Sequence, residues 1–207
     1  MIVPFNAKYL APTKKFRRLS ILMAAHNSPE TSQKGIGRIT HLSSSMVNNY
    51  IKDLQKDGLL TTTGKTNRTT SYHLTPAGQD ELMSLLKDYS AEIIRLYGDA
   101  KREVRERLTK VHRKGIRTVA LFGVAETAEV VSAAIKDRPL VVKAIFDNDK
   151  KKQGMPFNGL IIQPPELLKG IDVDAVVITS FGKQKEIHGL VRQLVGNRIE
   201  IVRLSDL

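Results

Sequence analysis

Ser44, Ser45, Asn48, Asn49 and Lys52 place five polar side chains within nine positions. Short hydroxyls and carboxamides donate and accept at close range, and an asparagine bonds adenine in bidentate fashion. The chemistry on offer is reading a base edge, with a lysine left over for phosphate. A second constellation is Gly123-Val124-Ala125-Glu126-Thr127-Ala128, with Asp147 24 residues after Gly123. A glycine turn after a strand, a helix start and a distant acid suit a pyrophosphate and its ribose. The middle glycine of the G-x-G-x-x-G/A pattern is Ala125 here, and its methyl narrows the approach of backbone to phosphate. Ala128 still permits close helix–strand packing.

The first constellation needs a helix that turns it outward. Val47, Ile51 and Leu54 fall at i, i+4 and i+7, which predicts one buried stripe opposite the polar residues. Ser43 or Ser44 suits the N-cap, and Gly58 suits the stop before Leu59 and Leu60 begin a strand. Upstream, Ile36, Ile39 and Leu42 sit at helical intervals and are expected to point inward. Helix, tight turn, longer helix and strand is the order of a helix-turn-helix followed by a wing. The plain alternative is a helical hairpin with a solvated polar face. Threonine-rich flanks around Gly64-Lys65-Thr66-Asn67-Arg68 predict a hairpin with a basic tip, setting Lys65 and Arg68 against phosphate or the minor groove. Gly-Lys-Thr is not a phosphate loop, because Gly58 and Gly64 enclose five residues where that pattern needs four. The segment LTPAG, Leu74–Gly78, resembles the exit from the wing in MarR-type winged-helix regulators.

From Gln79 to Arg113 apolar residues recur at intervals of three and four, predicting helices with one apolar face. Gly98-Asp99 reads as a stop and a cap between two of them. A dimer contact is the expectation for this stripe, since two-fold operators call for two-fold proteins; packing on the chain's own first domain is the alternative. Tyr97 and Lys101 have the Y-x-x-x-K spacing of short-chain dehydrogenases, but they precede the nucleotide-binding pattern where that family places the pair after it.

After Ile116 the period changes. RTVALFG, VVKAIFD, LIIQP, DAVVITS and IEIVRL read as strands, and AETAEVVSAAI and KEIHGLVRQLV as helices. Alternating strands and helices predict a parallel, doubly wound sheet. The expected fold class is α/β multidomain: a winged helix-turn-helix over 1–78, connecting helices over 79–114 and a Rossmann-like parallel α/β domain over 115–207. The stretch AIFDNDKKKQGMPFNGLIIQPPELL with DAVVITS resembles the nucleotide-binding domain of Rex-family redox-sensing repressors. It is also similar to the Rossmann module of polysaccharide-biosynthesis proteins that handle nucleotide sugars. The Rex resemblance extends to domain order and length, and implies NADH contacts at Gly123, Ala125, Asp147, Thr179 and Ser180. Lys150, Lys151 and Lys152 are candidates for a phosphate or for a solvated loop.

Charge supports the first domain as the polyanion-binding part. Residues 1–78 hold 11 Lys+Arg against 3 Asp+Glu, residues 79–115 hold 9 against 7, and residues 116–207 hold 13 against 11. The local balances are +8, +2 and +2, so most of the net +12 lies on the winged segment. Absence of cysteine rules out disulfides and thiolate metal sites and suits a reducing cytoplasm. No signal sequence and no membrane-length apolar run is apparent. His26, His41, His73, His112 and His188 show no metal-ligand spacing, and no nucleophile–base pairing stands out. The expectation is a cytoplasmic, homodimeric, sequence-specific regulator that binds double-stranded DNA, with a domain sensing NAD(H) or a nucleotide sugar and no catalysis. Two alternatives stay open: an enzyme or accessory protein of nucleotide-sugar metabolism, and a regulator whose second domain is a ligand-free dimerisation module.

Overall fold

The computed structural model describes residues 12–64, 70–136, 138–180 and 182–204. Its chain divides into two compact units, Met1–Ile94 and Arg95–Leu207.

In the first unit α1 (Lys14–Asn27), α2 (Gln33–Thr40) and α3 (Ser44–Lys56) precede a hairpin of β1 (Leu60–Thr63) and β2 (Ser71–Leu74). Side-chain oxygens start each helix. Thr13 accepts from the Phe16 amide, Ser32 from Gly35 and Ser43 from Met46, removing one orphan donor per helix. Val47, Ile51 and Leu54 are buried against Leu19, Ile21 and Leu22 of α1 and Ile36 of α2, with Leu60 and Tyr72 from the hairpin. Each such aliphatic side chain contributes about 1.5–3 kcal/mol on burial.

One upstream expectation needs correction: Ile39 is 40% exposed. Leu42 lies beyond the helix end and still packs against the core, as expected. His41 turns left-handed at φ 54 and ends α2 after Thr40, so helical spacing no longer applies beyond it. The second inward residue of α2 is Thr40, which hides its polarity by donating its hydroxyl to the Ile36 carbonyl at 2.7 Å.

β1 and β2 pair antiparallel with Leu60 opposite Leu74 and Thr63 opposite Ser71. Thr75 then closes the hairpin base. Its hydroxyl donates to the Gly58 carbonyl at 2.7 Å and accepts the Gly78 amide at 3.0 Å. A Cβ on Gly78 would lie 1.9 Å from the Leu59 carbonyl oxygen, so only glycine fits this crossing.

α4 (Pro76–Arg113) is one helix of 38 residues. The expected break at Gly98-Asp99 is absent. Gly98 has no positive φ, and Asp99 pairs with Arg102 inside the helix. Leu82 and Leu85 join the core of the first unit, while Val104, Leu108 and Val111 join a core of the second.

The second unit is a six-stranded sheet: β3 (Thr118–Phe122), β4 (Val141–Phe146), β5 (Pro156–Phe157), β6 (Leu160–Gln163), β7 (Ala175–Ile178) and β8 (Glu200–Arg203). The spatial order is β5-β6-β4-β3-β7-β8. Five strands run parallel, and β5 is an antiparallel edge that the apolar runs did not signal. Alternate side chains serve opposite faces. Val119 and Leu121 pack toward α5 (Glu126–Ile135) and the last turns of α4, whereas Ala120 and Phe122 pack toward a 3-10 helix (Pro165–Gly170) and α6 (Gln184–Val195). Asp174 ties the strand starts together. It accepts the Arg117 amide at 2.7 Å, the Thr118 amide at 2.8 Å and the Thr118 hydroxyl at 3.0 Å. These bonds hold its carboxyl below the ordinary range.

Candidate functional site

α3 presents its polar residues as its spacing predicts. Ser44, Ser45, Asn49 and Lys52 are exposed on the side away from Val47, Ile51 and Leu54. Ser45 also meets the Ser43 hydroxyl at 3.0 Å, at the first turn of the helix. Asn48 is half-buried and accepts from the Gln33 amide at 3.5 Å. Gln33 is thus a residue that sequence reasoning passed over. Burial pushes the nearby Tyr72 phenol up, and Gln33 partly offsets that. The amide therefore links α2 to α3 beside Asn48. Its only sequence signal was its place at the first turn of α2.

Charge around this face is basic. Lys34 and Arg38 of α2 and Lys56 of α3 are exposed as well, against one exposed acid on α3, Asp53. Arg18 of α1 pairs with Asp57 at 2.8 Å, one of the three acids of residues 1–78, and the pair is neutral as a whole. The wing strands carry Thr61, Thr62 and Thr63, all exposed. Lys65 and Arg68, expected at the wing tip, lie outside the described residues.

In the second unit the remaining candidates converge on the C-terminal ends of β3, β4 and β7. The chain moves from β3 outward through β4 to β6, then crosses to β7, so the strand order reverses beside β3. Crevices at such a reversal are where open α/β sheets bind ligands. Gly123 sits there at φ +103, and a Cβ on it would come within 3.4 Å of the Ser180 Cβ and the Thr179 hydroxyl oxygen. Ala125 is the N-cap of α5 without a side-chain bond, and Glu126 and Glu129 stand in its first turn.

The polar groups of this crest serve the chain itself. Asp147 accepts the Val124 amide at 2.6 Å and the Asp149 amide at 2.8 Å. Lys152 turns inward, donating to the Val124 carbonyl at 2.5 Å and standing 3.6 Å from the Asp147 carboxylate. The Thr179 hydroxyl donates to the Phe122 carbonyl at 2.9 Å and contacts the Gly123 carbonyl. Of the three lysines, Lys150 and Lys151 remain exposed. An open groove of about 820 Å³ lies elsewhere, floored by Leu121, Val142, Ile145 and Leu160 and edged by Glu129 and Lys136. It exists because the β4–β6 connection is the β5 hairpin, with no helix to cover those strands.

No group of three His, Cys, Asp or Glu that could hold a metal occurs among the described residues. No helix among them is long and apolar enough to cross a membrane.

Comparison with known proteins adds two segmental matches. Residues 115–202 match a family described as C2185-like, N-terminal. Residues 17–61 match the family of winged helix-turn-helix DNA-binding domains. No curated protein matches the chain. Solved structures similar to it include a MarR-family transcriptional regulator from Silicibacter pomeroyi, at 21% identity and TM-score 0.35, covering 39% of this chain and 56% of that one. BpsR of Bordetella bronchiseptica, whose DNA binding is regulated by 6-hydroxynicotinic acid, matches at 19% identity and TM-score 0.34, over 38% of this chain and 57% of its own. The regulator BldR from Sulfolobus solfataricus matches at 18% identity and TM-score 0.38, over 54% and 80%. The chain spans less than two thirds of the first two. The segment match and the α1–α2–α3–hairpin arrangement agree on one conclusion: the N-terminal unit is a winged helix-turn-helix of the DNA-binding kind.

Proposed function

We propose that this chain is a transcriptional regulator that reads double-stranded DNA through α3, acts as a homodimer in the cytoplasm, and senses a nucleotide-type ligand, NAD(H) or a nucleotide sugar, through its α/β unit. The observation that carries the DNA reading is the outward face of α3. Asn49 and Lys52 are exposed opposite a buried apolar stripe, within residues 1–78, which carry +8 of the net +12. A helix so equipped suits major-groove entry. The homodimer follows from the symmetry of operators. The ligand reading is supported by the strand-order reversal beside β3 and by the left-handed Gly123 turn next to Thr179 and Ser180. Both are features a Rossmann-like crevice would need. The test is a gel shift with genomic fragments, alone and with NADH, NAD and nucleotide sugars. Selective retention of some fragments, altered by one ligand, is the expected result. Equal retention of all fragments under every condition would overturn the regulator.

A second reading has its own support. Asp147 already has backbone partners and Lys152 beside it, the groups an adenosine ribose and a phosphate would need. On this reading the α/β unit is a ligand-free module of the same regulator. Mass spectrometry of small molecules released from the purified protein decides: a stoichiometric nucleotide supports sensing, and none after purification without nucleotide or from nucleotide-rich lysate supports the module.

A further inference from the structure

Gln33 and Asn48 meet where the first turn of α2 approaches α3, and the Gln33 Nε2 donates to the Asn48 Oδ1 at 3.5 Å. Both side chains are half-buried, so water competes for this bond less than it would on an open surface. Asn48 belongs to the row Ser44, Asn48, Lys52, successive turns of one helix, and the other two members are exposed. Its carboxamide therefore stands at the edge of the outward face of α3, and one end of it is already engaged.

An asparagine carboxamide has an acceptor end and a donor end, carried on one carbon and pointing different ways. With Oδ1 turned to Gln33, the end left for a base is Nδ2, which only donates. A second neighbour agrees that Gln33 is the donor of the pair. Gln33 partly offsets the burial that raises the Tyr72 phenol, which a donor near that oxygen does and an acceptor does not. In the major groove guanine and thymine present keto oxygens, whereas adenine and cytosine present amino groups. An amide held with its donor outward bonds the keto bases and meets a second donor on the amino ones.

We propose that Gln33 is a positioning residue for sequence recognition: by holding the Asn48 Oδ1 it makes Asn48 select a keto base, guanine or thymine, on the strand that Asn48 meets. The inference rests on α3 reading DNA. The test is selection by the full chain from a randomised double-stranded oligonucleotide library, followed by competition binding among the bases at each position of the selected sequence. The parent is expected to favour guanine or thymine at one position by about fivefold. Gln33→Glu offers an acceptor where the parent offers a donor, so Asn48 turns Nδ2 inward and Oδ1 outward. The preference at that position is then expected to pass to adenine or cytosine, whatever the added negative charge does to affinity as a whole. Gln33→Met keeps the length and loses the bond, and the preference there is expected to fall to within about twofold. In an Asn48→Ala background neither change at Gln33 is expected to alter base preference, which separates positioning from direct reading. A selective parent whose preference Gln33→Glu does not carry to the amino bases, or carries even without the Asn48 carboxamide, overturns the role of Gln33 while α3 remains the reader. A parent that selects no sequence overturns both.

Discussion

Asn49 is exposed at the centre of the outward face of α3, whereas Asn48 is tethered to Gln33. The two asparagines therefore differ in what they can reach. Asn49→Ala is expected to cost about 1–3 kcal/mol on a preferred sequence and to relax the preference at one base. Competition binding against a library of single-base operator variants measures both. An unchanged preference would remove Asn49 from the reading face. Gly78 carries a different lesson. Its missing Cβ is required by the Leu59 carbonyl, so Gly78→Ala is expected to destabilise the first unit by about 1–3 kcal/mol in urea denaturation. Sequence reasoning found Val47, Ile51, Leu54 and the serine cap because local spacing determines them. It missed Thr40 and Gln33, whose meaning comes from a partner that no window of sequence contains. It also carried Ile39 inward, where the buried face of α2 is instead made by Ile36, Gly37 and Thr40.

At the scale of elements, the strands and helices of the second unit were legible because short apolar runs alternate with helical ones. The β5 edge was not, being two residues long and set by the Gly159 turn. Gly98-Asp99 misled for a physical reason. A glycine–aspartate pair serves equally as stop and cap or as two weak helix positions, and packing on both sides decides. Gly98→Ala tests this directly. The added methyl meets open space, so α4 is expected to gain about 0.5–1 kcal/mol by thermal or urea unfolding. A loss would mean that the helix does bend there. Asp174 makes a pH prediction for the sheet. Its carboxyl is held below the ordinary range by bonds from Arg117 and Thr118. A depressed folded value contributes stability above the unfolded value and loses it as pH falls through the folded one. Asp174→Asn is therefore expected to be less stable than the parent at neutral pH, with the gap closing in acid. A gap independent of pH would assign the effect to shape alone.

For the whole molecule, charge is the property that the sequence revealed most directly and that coordinates refine least. The excess on residues 1–78 predicts strongly salt-dependent DNA binding. Arg68→Ala is expected to weaken all DNA sequences to a similar degree and to reduce the slope of log affinity against log salt by about one. A shift in sequence preference would instead make Arg68 a reader of bases. The change of period after Ile116 marks where the strands begin, but the two compact units divide at Ile94 and Arg95, inside α4, where no change of period falls. Its apolar stripe was assigned to a dimer contact, with packing on its own domain as the alternative. Much of that stripe is now accounted for, since Leu82 and Leu85 belong to one core and Val104, Leu108 and Val111 to the other.

That sharing has a consequence for fluctuation. A helix held at both ends by different cores frays only when one of them gives way, so the order of α4 is a quantity to which both units contribute. Anything that quiets the motion of α4 within one unit reduces the entropy still to be lost when the other is ordered, with no displacement of any atom required.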